Sequence, residues 1–376
     1  MTKTLFIPSW YPSADVPTAG VFIRQQVLAV AQVVDVAVLH VDAGRHVAGP
    51  RVTVEDDVPV VRAGVDARGP YGRTIAYTRM GLAAFEQLRR EWGTPDIIHV
   101  QALFPAALIA RAIKKRYGIP YVVTEHSEEY LAQSDRRLAK NPLVVRLLLR
   151  PLALGASRTI AVSRFLAVRL VQLGLAADPV VISNVVPVFG PEPPTPDVPH
   201  VVTHVSVMGP AKNLGMLLEA ADRLRARRTD FIVRLVGDGE SRLELEKAAA
   251  ALHLGDVVEF TGRKTAEDVR ALLAQSAFTV VSSTHETFSV SAAESLMAGR
   301  PVLATRCGGP EEFITPDVGR LIDAGNVDAL VEGLDWMLDH FAEFDPQTLH
   351  DYALARFAPD VVASQILDVY REVLGD

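Results

Sequence analysis

Short buried strands alternate with helices along almost all of the chain, and this alternation limits its fold more than any other feature. Apolar, β-branched runs predict five strands in the first half: KTLFIPSW, VDVAVLHV, DIIHV, YVVTEH and RTIAVS. Between them lie helical patterns, namely GVFIRQQVLAVAQ, RTIAYTRMGLAAFEQLRREWG and AALIARAIKKRYG, of which the last two end on glycine. Such alternation favours a parallel sheet covered by helices.

The pattern stops once and then resumes, which predicts two domains. Six prolines between Pro187 and Pro199 interrupt it, and we interpret this segment as a linker. Beyond it, strands such as VVTHVSV, FIVRLVG and FTVV alternate again with helices. Because 376 residues exceed what one core usually organises, we predict an α/β fold of two doubly wound, Rossmann-like halves facing across a cleft. The predicted domains are 1–187 and 188–355. A closing helix is predicted over 356–376, and packing of this helix on the first domain is one of its two possible placements.

Composition excludes several classes of protein. With 49% hydrophobic and 22% charged residues, the chain is typical of a soluble globular protein. Its single cysteine, Cys307, leaves neither an internal disulfide nor a Cys-x-x-Cys zinc site. We find no signal-peptide pattern and no apolar run of membrane-spanning length, and therefore expect a cytoplasmic protein. Nucleic acid is a poor partner, because no basic stretch is interleaved with aromatic residues.

Charge is distributed unevenly along the chain. Residues 1–187 hold 22 Lys and Arg against 15 Asp and Glu, whereas the remainder holds 16 against 30. Residues 136–158, RRLAKNPLVVRLLLRPLALGASR, contain six basic residues and no acid, and Pro142 and Pro151 bound a predicted helix there. Two explanations stay open: peripheral contact with an anionic membrane at its inner face, or a packed helix with its arginines in water.

Two carboxylates, Glu286 and Glu294, stand eight positions apart in HETFSVSAAESLMAGRPVLATRCGGPEE, residues 285–312. Glu286 follows the predicted strand FTVV, and Glu294 lies on the next predicted helix. Unpaired amides in the first turn, around Ser289–Ser291, favour a phosphate, while ionised carboxylates accept hydrogen bonds from sugar diols. A nucleotide sugar fits that polarity. The alternative is that Ser291 and Glu294 form a capping box and Glu286 is a surface acid.

This stretch resembles the donor-site signature of the retaining glycosyltransferases of family 4, which have the GT-B fold. The resemblance covers nearly the whole chain and includes LFIPSWYPSADVPTAGVFIRQQ, PDIIHVQ, VVTEHS, TIAVSRF, VISNVVP, KNLGMLLEAADRL and LVGDGESRLELEKAA. It implies a hexosyltransferase type of enzyme that moves a sugar from a nucleoside diphosphate sugar to a hydroxyl acceptor with retention. A lipid-linked or cell-envelope glycan is one candidate acceptor.

The resemblance also implies roles in the second half. Glu294 would bind the ribose hydroxyls of the donor, and Glu286 would contact the donor sugar as a catalytic residue. The backbone of Phe288, Ser289 and Val290 would meet the diphosphate and the sugar.

Two further roles in this half follow from the same resemblance. Lys212 would neutralise the departing diphosphate, but Val207 stands where the family usually has an arginine. Gly237 would help to shape the donor site. From the residues alone, Glu311 and Glu312 follow a flexible Gly-Gly turn, and either one of them contacts the donor sugar or they cap the next helix.

In the first half, the resemblance gives roles to two residues. Gly20 would let the backbone approach the donor phosphates, and His126 would lie beside the donor sugar and the acceptor. Without the resemblance, a turn glycine and a packed histidine are the alternatives. We predict a structural role for His99, and for Asn184 either a role in a turn or a contact with the cleft.

No Asp-x-Asp triplet follows a predicted strand, and the acidic pair Asp56 and Asp57 lies in what resembles a turn, VEDDVPV. We therefore predict no metal and no cofactor besides the sugar donor. The alternatives that stay open are a GT-B nucleotide-sugar epimerase, a phosphorylase, and a non-catalytic sugar-nucleotide-binding subunit.

Overall fold

The computed structural model describes residues 2–13, 15–43, 49–65, 70–131, 141–191 and 200–376. The chain divides into two compact units. The first unit comprises Met1–Val185 together with Pro359–Asp376, and the second unit comprises Val186–Ala358. Most of the proline-rich linker, residues 192–199, lies outside the described residues, as do the first five residues of the basic stretch, 136–140.

An eight-stranded sheet forms the centre of the first unit. Its strands are β1 (Lys3–Pro8), β2 (Asp35–Ala43), β3 (Arg51–Glu55), β4 (Val58–Val65), β5 (Ile97–Gln101), β6 (Tyr121–Glu125), β7 (Arg158–Ala161) and β8 (Val180–Val181). Their order is β3-β4-β2-β1-β5-β6-β7-β8. Strands β1, β5 and β6 are almost completely buried, as their unbroken apolar runs predict for central parallel strands.

The edge strand β3 departs from the predicted parallel sheet, because it pairs antiparallel with β4. Asp56 and Asp57 join the two strands and both have positive φ, 50° and 62°. This two-residue turn suits the twist of a hairpin. The predicted turn at these aspartates is confirmed, whereas the prediction that the sheet is parallel throughout is wrong at this edge.

Helices connect the parallel strands of the first unit. They are α1 (Val21–Ala31), α2 (Pro70–Glu91), α3 (Ala107–Tyr117), α4 (Pro142–Val144), α5 (Arg150–Ala153) and α6 (Arg164–Gln172). Helix α3 ends at Gly118, whose φ of 77° is the left-handed conformation that a glycine allows at this position. The core between sheet and helices includes Phe6, Ile23 and Val38.

The helix predicted between Pro142 and Pro151 begins at Pro142 but does not end at Pro151. A π-helical turn, Val145–Leu149, joins α4 to α5, and Pro151 lies inside α5. Proline has no N–H to continue the regular ladder. The chain instead widens by one residue before it, so that the Arg150 N–H bonds the Val145 carbonyl.

The second unit contains a six-stranded sheet in which every neighbouring pair is parallel. Its strands are β9 (His200–Val207), β10 (Phe231–Asp238), β11 (Val258–Gly262), β12 (Phe278–Val281), β13 (Val302–Thr305) and β14 (Gly319–Ile322), in the order β11-β10-β9-β12-β13-β14. Its helices are α7 (Leu214–Arg225), α8 (Arg242–Ala251), α9 (Ala266–Ala274), α10 (Val290–Met297), α11 (Val327–His340) and α12 (Pro346–Phe357). This confirms the predicted α/β alternation.

The closing helix α13 (Pro359–Leu374) belongs to the first unit. Its buried residues Val362, Ile366 and Tyr370 join the core that contains Ile23 and Val27 of α1. Among the residues that the structure describes, no helix has the length and the apolar character needed to cross a bilayer.

Candidate functional site

The strand order of the second unit brings three loops together. Strand β9 lies between β10 and β12, and β12 pairs with β13. Because these strands are parallel, the loops that follow β9, β12 and β13 leave the same edge of the sheet, where ligands bind in folds of this type. Those loops carry Lys212, Glu286 and Glu311, which were all predicted from the sequence as site residues.

A buried ion pair joins the first two loops. Lys212 Nζ lies 2.6 Å from Glu286 Oε1, and the two side chains are 21% and 13% exposed. The Ser283 hydroxyl donates a second hydrogen bond to the same carboxylate oxygen, at 2.7 Å. Burial alone would raise the pKa of Glu286, but the charge and hydrogen bond of Lys212, together with Ser283, outweigh it and lower that pKa. Glu286 is therefore an anion held in place.

Backbone contacts fix Lys212 against the β12 loop. The Ser282 hydroxyl donates to the Lys212 carbonyl at 2.8 Å, and the Thr284 N–H donates to the Ala211 carbonyl at 2.8 Å. Residues Pro210–Lys212 form a short 3₁₀ turn, and Asn213 follows with a left-handed φ of 52°. The position of the ammonium is thus set by the neighbouring strand end.

Glu286 is also held through its backbone by the loop after β13. Its N–H donates to the Cys307 carbonyl at 2.8 Å, and its carbonyl accepts from the Gly309 N–H at 2.9 Å. A side chain at Gly309 would place its Cβ 2.5 Å from the Phe288 Cα, so only glycine permits this approach. Glu286 therefore forms an isolated parallel bridge with Gly308, and the chain bends at Thr287 and Phe288 before α10 begins.

The helix that carries the second carboxylate starts without a side-chain cap. Ser289 is the N-cap residue that precedes the helix, with φ 77° and ψ 81°, and the Ser289 Oγ is buried without a hydrogen-bond partner. The alternative of a capping box between Ser291 and Glu294 is therefore wrong. The Ala293 N–H makes the first bond back, to the Ser289 carbonyl, so the amides before it have no partner within the helix. A positive φ in a serine is a strained conformation, of the kind that clusters at binding sites.

Phe288 directs its side chain into the core. It is 3% exposed, and its ring lies 5.3 Å from the Phe313 ring and 5.5 Å from the Phe357 ring, measured between centroids. Only the Phe288 backbone remains for a ligand, which agrees with the backbone role that was predicted for it. Val290 follows as the first residue of α10.

Glu294 lies in a setting that differs from that of Glu286. No described residue donates a hydrogen bond to its carboxylate, and burial raises its pKa to about 7 against a lowering effect of Arg270. Glu294 is the fifth residue of α10, so its carboxylate lies within two helical turns of the backbone amides that have no partner at the start of that helix. A partly buried acceptor without a donor is suited to a ligand that brings hydroxyl groups.

Gly237 has a structural contact that the sequence did not reveal, whereas Glu311 shows the helix-capping contact that was one of its two predicted alternatives. Gly237 has φ 130° and lies opposite Ser206, whose carbonyl oxygen would be 1.9 Å from a Cβ at this position. Glu311 Oε1 accepts from the Gly308 N–H at 2.9 Å, which caps the turn Gly309–Glu312. The donor contacts of both residues remain predictions. Val207, in the place of the family's usual arginine, is 69% exposed at the end of β9.

In the first unit, Gly20 and His126 lie beside helix α1. Gly20 precedes α1 with φ 67°, and a Cβ there would lie 2.6 Å from the Trp10 carbonyl oxygen. The His126 ring packs on Phe22 with centroids 4.9 Å apart, and its Nε2 lies 2.7 Å from Gln101 Oε1. Its Nδ1 is buried without a partner, as is Asn184 Oδ1. Burial lowers the pKa of His126 to about 3, opposed by Asn184, so the ring is neutral.

A buried carboxylate that the sequence analysis missed supports His126. Glu125 accepts backbone N–H bonds from Leu103 at 2.7 Å, from His126 at 2.9 Å and from Ser127 at 3.3 Å. Burial raises the pKa of Glu125 in spite of these bonds. Its place at the end of β6, directly before His126, was the only signal in the sequence.

Metal-ligating side chains do not cluster in the described part of the chain. Across residues 2–13, 15–43, 49–65, 70–131, 141–191 and 200–376, no three His, Cys, Asp or Glu side chains lie close enough to hold an ion. Asp56 instead pairs with Arg24.

Two protein families match the chain. Residues 20–188 match the family described as Glycosyltransferase Family 4, and residues 191–344 match the family described as Glycosyl transferases group 1. The two matches adjoin and together span most of both units.

Several known proteins are similar over long stretches. An uncharacterised glycosyltransferase of Methanocaldococcus jannaschii is 27% identical over 61% of this chain and 62% of its own length. The match thus covers less than two thirds of that protein. A phosphatidyl-myo-inositol mannosyltransferase of Mycolicibacterium smegmatis is 28% identical over 96% of this chain and 92% of its own. The structure of the Anabaena protein HepE in complex with UDP-glucose has a TM-score of 0.75 at 20% identity, covering 99% of this chain and 100% of that one. At this identity the likeness shows the fold.

The two carboxylates should respond to pH in opposite directions. Glu294 has a pKa raised to about 7 in the folded state, so its ionisation opposes folding as pH rises from its unfolded value near 4.3 through 7. We expect Glu294→Gln to be more stable than wild type at pH 8, with a smaller difference at pH 5, in thermal unfolding.

Glu286 has a lowered pKa, so the stability that it provides is present above its unfolded pKa and is lost on acidification. Glu286→Gln should therefore be less stable than wild type at pH 8, and equal behaviour of the two variants would contradict these assignments.

Proposed function

The chain belongs to the family 4 glycosyltransferases, and we propose that it transfers a sugar from a nucleoside diphosphate sugar to a hydroxyl acceptor. The family matches confirm the predicted resemblance, and the structural likeness confirms the GT-B type of α/β fold. The observation that carries the proposal is one constellation in the second unit. A partly buried ammonium and an anchored carboxylate lie in adjoining loops, and the helix that follows starts with open amides and carries an unpaired carboxylate.

Each part of this constellation suits one part of the donor. We assign the ribose hydroxyls to Glu294, whose carboxylate accepts no hydrogen bond from the described residues. The diphosphate belongs at the start of α10, because the amides of Ser289 and Val290 favour an anion there. The hydroxyls of the transferred sugar fall to Glu286. This is the order of groups along a nucleotide sugar.

Lys212 changes partner in this proposal. In the free protein its ammonium is neutralised by Glu286 at 2.6 Å. A diphosphate offers more negative charge and several acceptor oxygens, so it competes for Lys212 and leaves Glu286 free for sugar hydroxyls. Charge that develops on the departing diphosphate would then be met by a pre-positioned cation, which is the interaction that accelerates such a step. With Val207 in the place of the usual arginine, Lys212 and the α10 amides carry this task.

We propose retention and independence of metal for the same reaction. The bond between the anomeric carbon and the diphosphate oxygen breaks, a bond to the acceptor oxygen forms on the same face of the sugar, and the acceptor proton leaves with the diphosphate. Lys212 supplies the positive charge that a bound metal supplies in other enzymes. In the first unit, the unpaired Nδ1 of His126 is suited to accept a hydrogen bond from a substrate hydroxyl.

The surface around α4 and α5 favours a lipid-linked acceptor. Leu143, Leu147 and Leu154 are 64%, 71% and 63% exposed there, and Arg146 is exposed beside Leu147. Exposed leucines with arginines among them can insert into the interface of an anionic membrane. The mannosyltransferase of Mycolicibacterium smegmatis, which is similar over 96% of this chain, is named for a phosphatidylinositol acceptor. We propose that this surface brings the enzyme to a membrane-borne acceptor.

Donor binding is tested by thermal stabilisation with UDP, GDP, ADP and their sugars in the presence of a chelator. One nucleotide series should raise the melting temperature, because its ribose and diphosphate fill the sites described. Glu294→Ala should weaken binding at least tenfold, which is about 1.4 kcal/mol. Glu332→Ala, an exposed glutamate of α11, is the matched control and should respond like wild type. If Glu294→Ala responds as the control does, the site assignment fails.

Catalysis is tested with the stabilising nucleotide sugar, with water or simple alcohols as acceptor and with chelator present. Nuclear magnetic resonance should show that the first product keeps the anomeric configuration of the donor. Lys212→Ala should lower the rate by about 10²–10³, as loss of one electrostatic contact to a developing charge does. An inverted product or a requirement for metal would contradict the mechanism. Conversion of donor without any acceptor product would instead support an epimerase.

Membrane contact is tested by sedimentation with vesicles that contain phosphatidylglycerol. Wild type should bind these vesicles and should bind less to phosphatidylcholine alone, because the arginines contribute electrostatically. Leu147→Asp should reduce binding severalfold. Leu243→Asp, which alters a leucine that is 61% exposed in the second unit, is the control and should bind as wild type does. Absence of binding by wild type would exclude this surface as a membrane contact.

A further inference from the structure

A chain of buried polar side chains runs through the first unit and ends at the candidate histidine. Gln101, the last residue of β5, is fully buried and lies between two histidine rings. Its Oε1 is 2.7 Å from His126 Nε2, and its Nε2 is 3.1 Å from His99 Nε2. The other side of the His99 ring, Nδ1, lies 2.6 Å from the hydroxyl of Tyr370 on α13.

Both rings are neutral, so the only difference in protonation open to each ring is which nitrogen carries its proton. Burial lowers the pKa of His99 and that of His126 to about 3 in each case. At neutral pH each ring carries one proton, on either Nδ1 or Nε2. The Thr124 hydroxyl, 2.7 Å from His99 Nε2, can donate or accept and therefore fits either choice.

The primary amide of Gln101 restricts that choice, because one end only accepts and the other only donates. With the oxygen towards His126, that ring must carry its proton on Nε2. The amide nitrogen then donates to His99 Nε2, and the His99 proton lies on Nδ1, facing Tyr370. With the amide turned over, every direction reverses: His126 is protonated on Nδ1 and His99 on Nε2. The positions of the heavier atoms are the same in both arrangements.

We propose that Gln101 couples the two rings, so that His126 and His99 always carry their protons on unlike nitrogens. Gln101 and His99 are then positioning residues for His126, and Tyr370 joins the chain to the closing helix. The proposal concerns the protein without substrate and does not depend on the sugar transfer proposed above.

The unpaired atoms of this region show why the direction matters. In the first arrangement the buried Nδ1 of His126 is an acceptor, and so is the unpaired Oδ1 of Asn184. Together they can receive a hydroxyl group from a ligand. In the second arrangement Nδ1 carries a hydrogen and can donate to Asn184. Gln26 now faces Gln101 with its amide oxygen, and its amide nitrogen is unpaired. The Gln26 amide therefore turns over together with that of Gln101, and its Nε2 donates to the turned Gln101 oxygen. The orientation of the Gln101 amide therefore determines whether His126 Nδ1 is a hydrogen-bond acceptor or a donor.

The wild-type protein gives the first test. Long-range ¹H–¹⁵N correlation spectra of protein with ¹⁵N-labelled histidine distinguish protonated from bare ring nitrogens at pH 8. The spectra of His126→Asn and His99→Asn assign the two rings through the signals that disappear. Protons on unlike nitrogens are expected, in either arrangement. Protons on like nitrogens, both Nε2 or both Nδ1, would overturn the proposal.

Gln101→Glu gives the second test, since an ionised carboxylate of nearly the same shape accepts on both sides and donates on neither. Both rings should then carry a proton on Nε2, so one of the two rings must change its tautomer relative to wild type. The ¹³C shift of the introduced carboxyl shows that it is ionised. Gln172→Glu, on the exposed side of α6, is the control and should leave both rings unchanged. Unlike nitrogens that persist in Gln101→Glu would overturn the coupling, and the wild-type spectrum decides independently if that variant does not fold.

Discussion

The Lys212–Glu286 ion pair is the interaction on which the arrangement of the second unit's strand ends depends. Two opposite charges at 2.6 Å with little exposure lose much of their hydration, and such a pair is maintained only when further hydrogen bonds compensate. Ser283 supplies one of these to Glu286, and Ser282 holds the backbone of Lys212. The same residues tie the β9 loop to the β12 loop. Gly309, which approaches Phe288 too closely for any side chain, then adds the β13 loop.

The two units organise their polar residues by different means. In the second unit, charge dominates: an ammonium balances one carboxylate, while the other has no donor, and burial raises its pKa to about 7. In the first unit, burial has removed charge from both histidines, and the hydrogen bonds of neutral groups carry the organisation. Glu125 is the exception there, and three backbone amides surround its carboxylate. The candidate site of the second unit is therefore organised by ion pairing, and that of the first unit by hydrogen bonds between buried neutral side chains.

Periodicity and strand length predicted the fold well, because both depend on local sequence. The predicted helix PDVVASQILDVYREVL coincides with α13, and the strands before each candidate loop are where their apolar runs place them. Strand β3 was missed although the turn after it was predicted, since an exposed edge strand has no apolar pattern of its own. The π-helical turn before Pro151 was missed as well, because a helix can absorb a proline by widening instead of ending there.

For the site, the sequence supplied candidate residues but not the contacts that those residues make. The Glu-x7-Glu pattern and the strand ends pointed to Glu286, Glu294 and Lys212, but their unequal pKa values follow from contacts between distant segments. The left-handed Ser289 has no signature, because serine rarely adopts a positive φ. The relation between Gln101 and His99 depends on two neighbouring strands and on a tyrosine 271 positions further along the chain than His99.

The place of α13 has a consequence for the order in which the two units form during synthesis. The second unit is one continuous segment, so its core is complete once residue 358 has left the ribosome. The first unit is made earlier, yet its core includes Ile366 and Tyr370. Until these residues are made, the side of α1 that packs on α13 stays exposed. Until the last helix arrives, that apolar flank is open to chaperones and to other nascent chains. The half that is translated first is thus the half that finishes last.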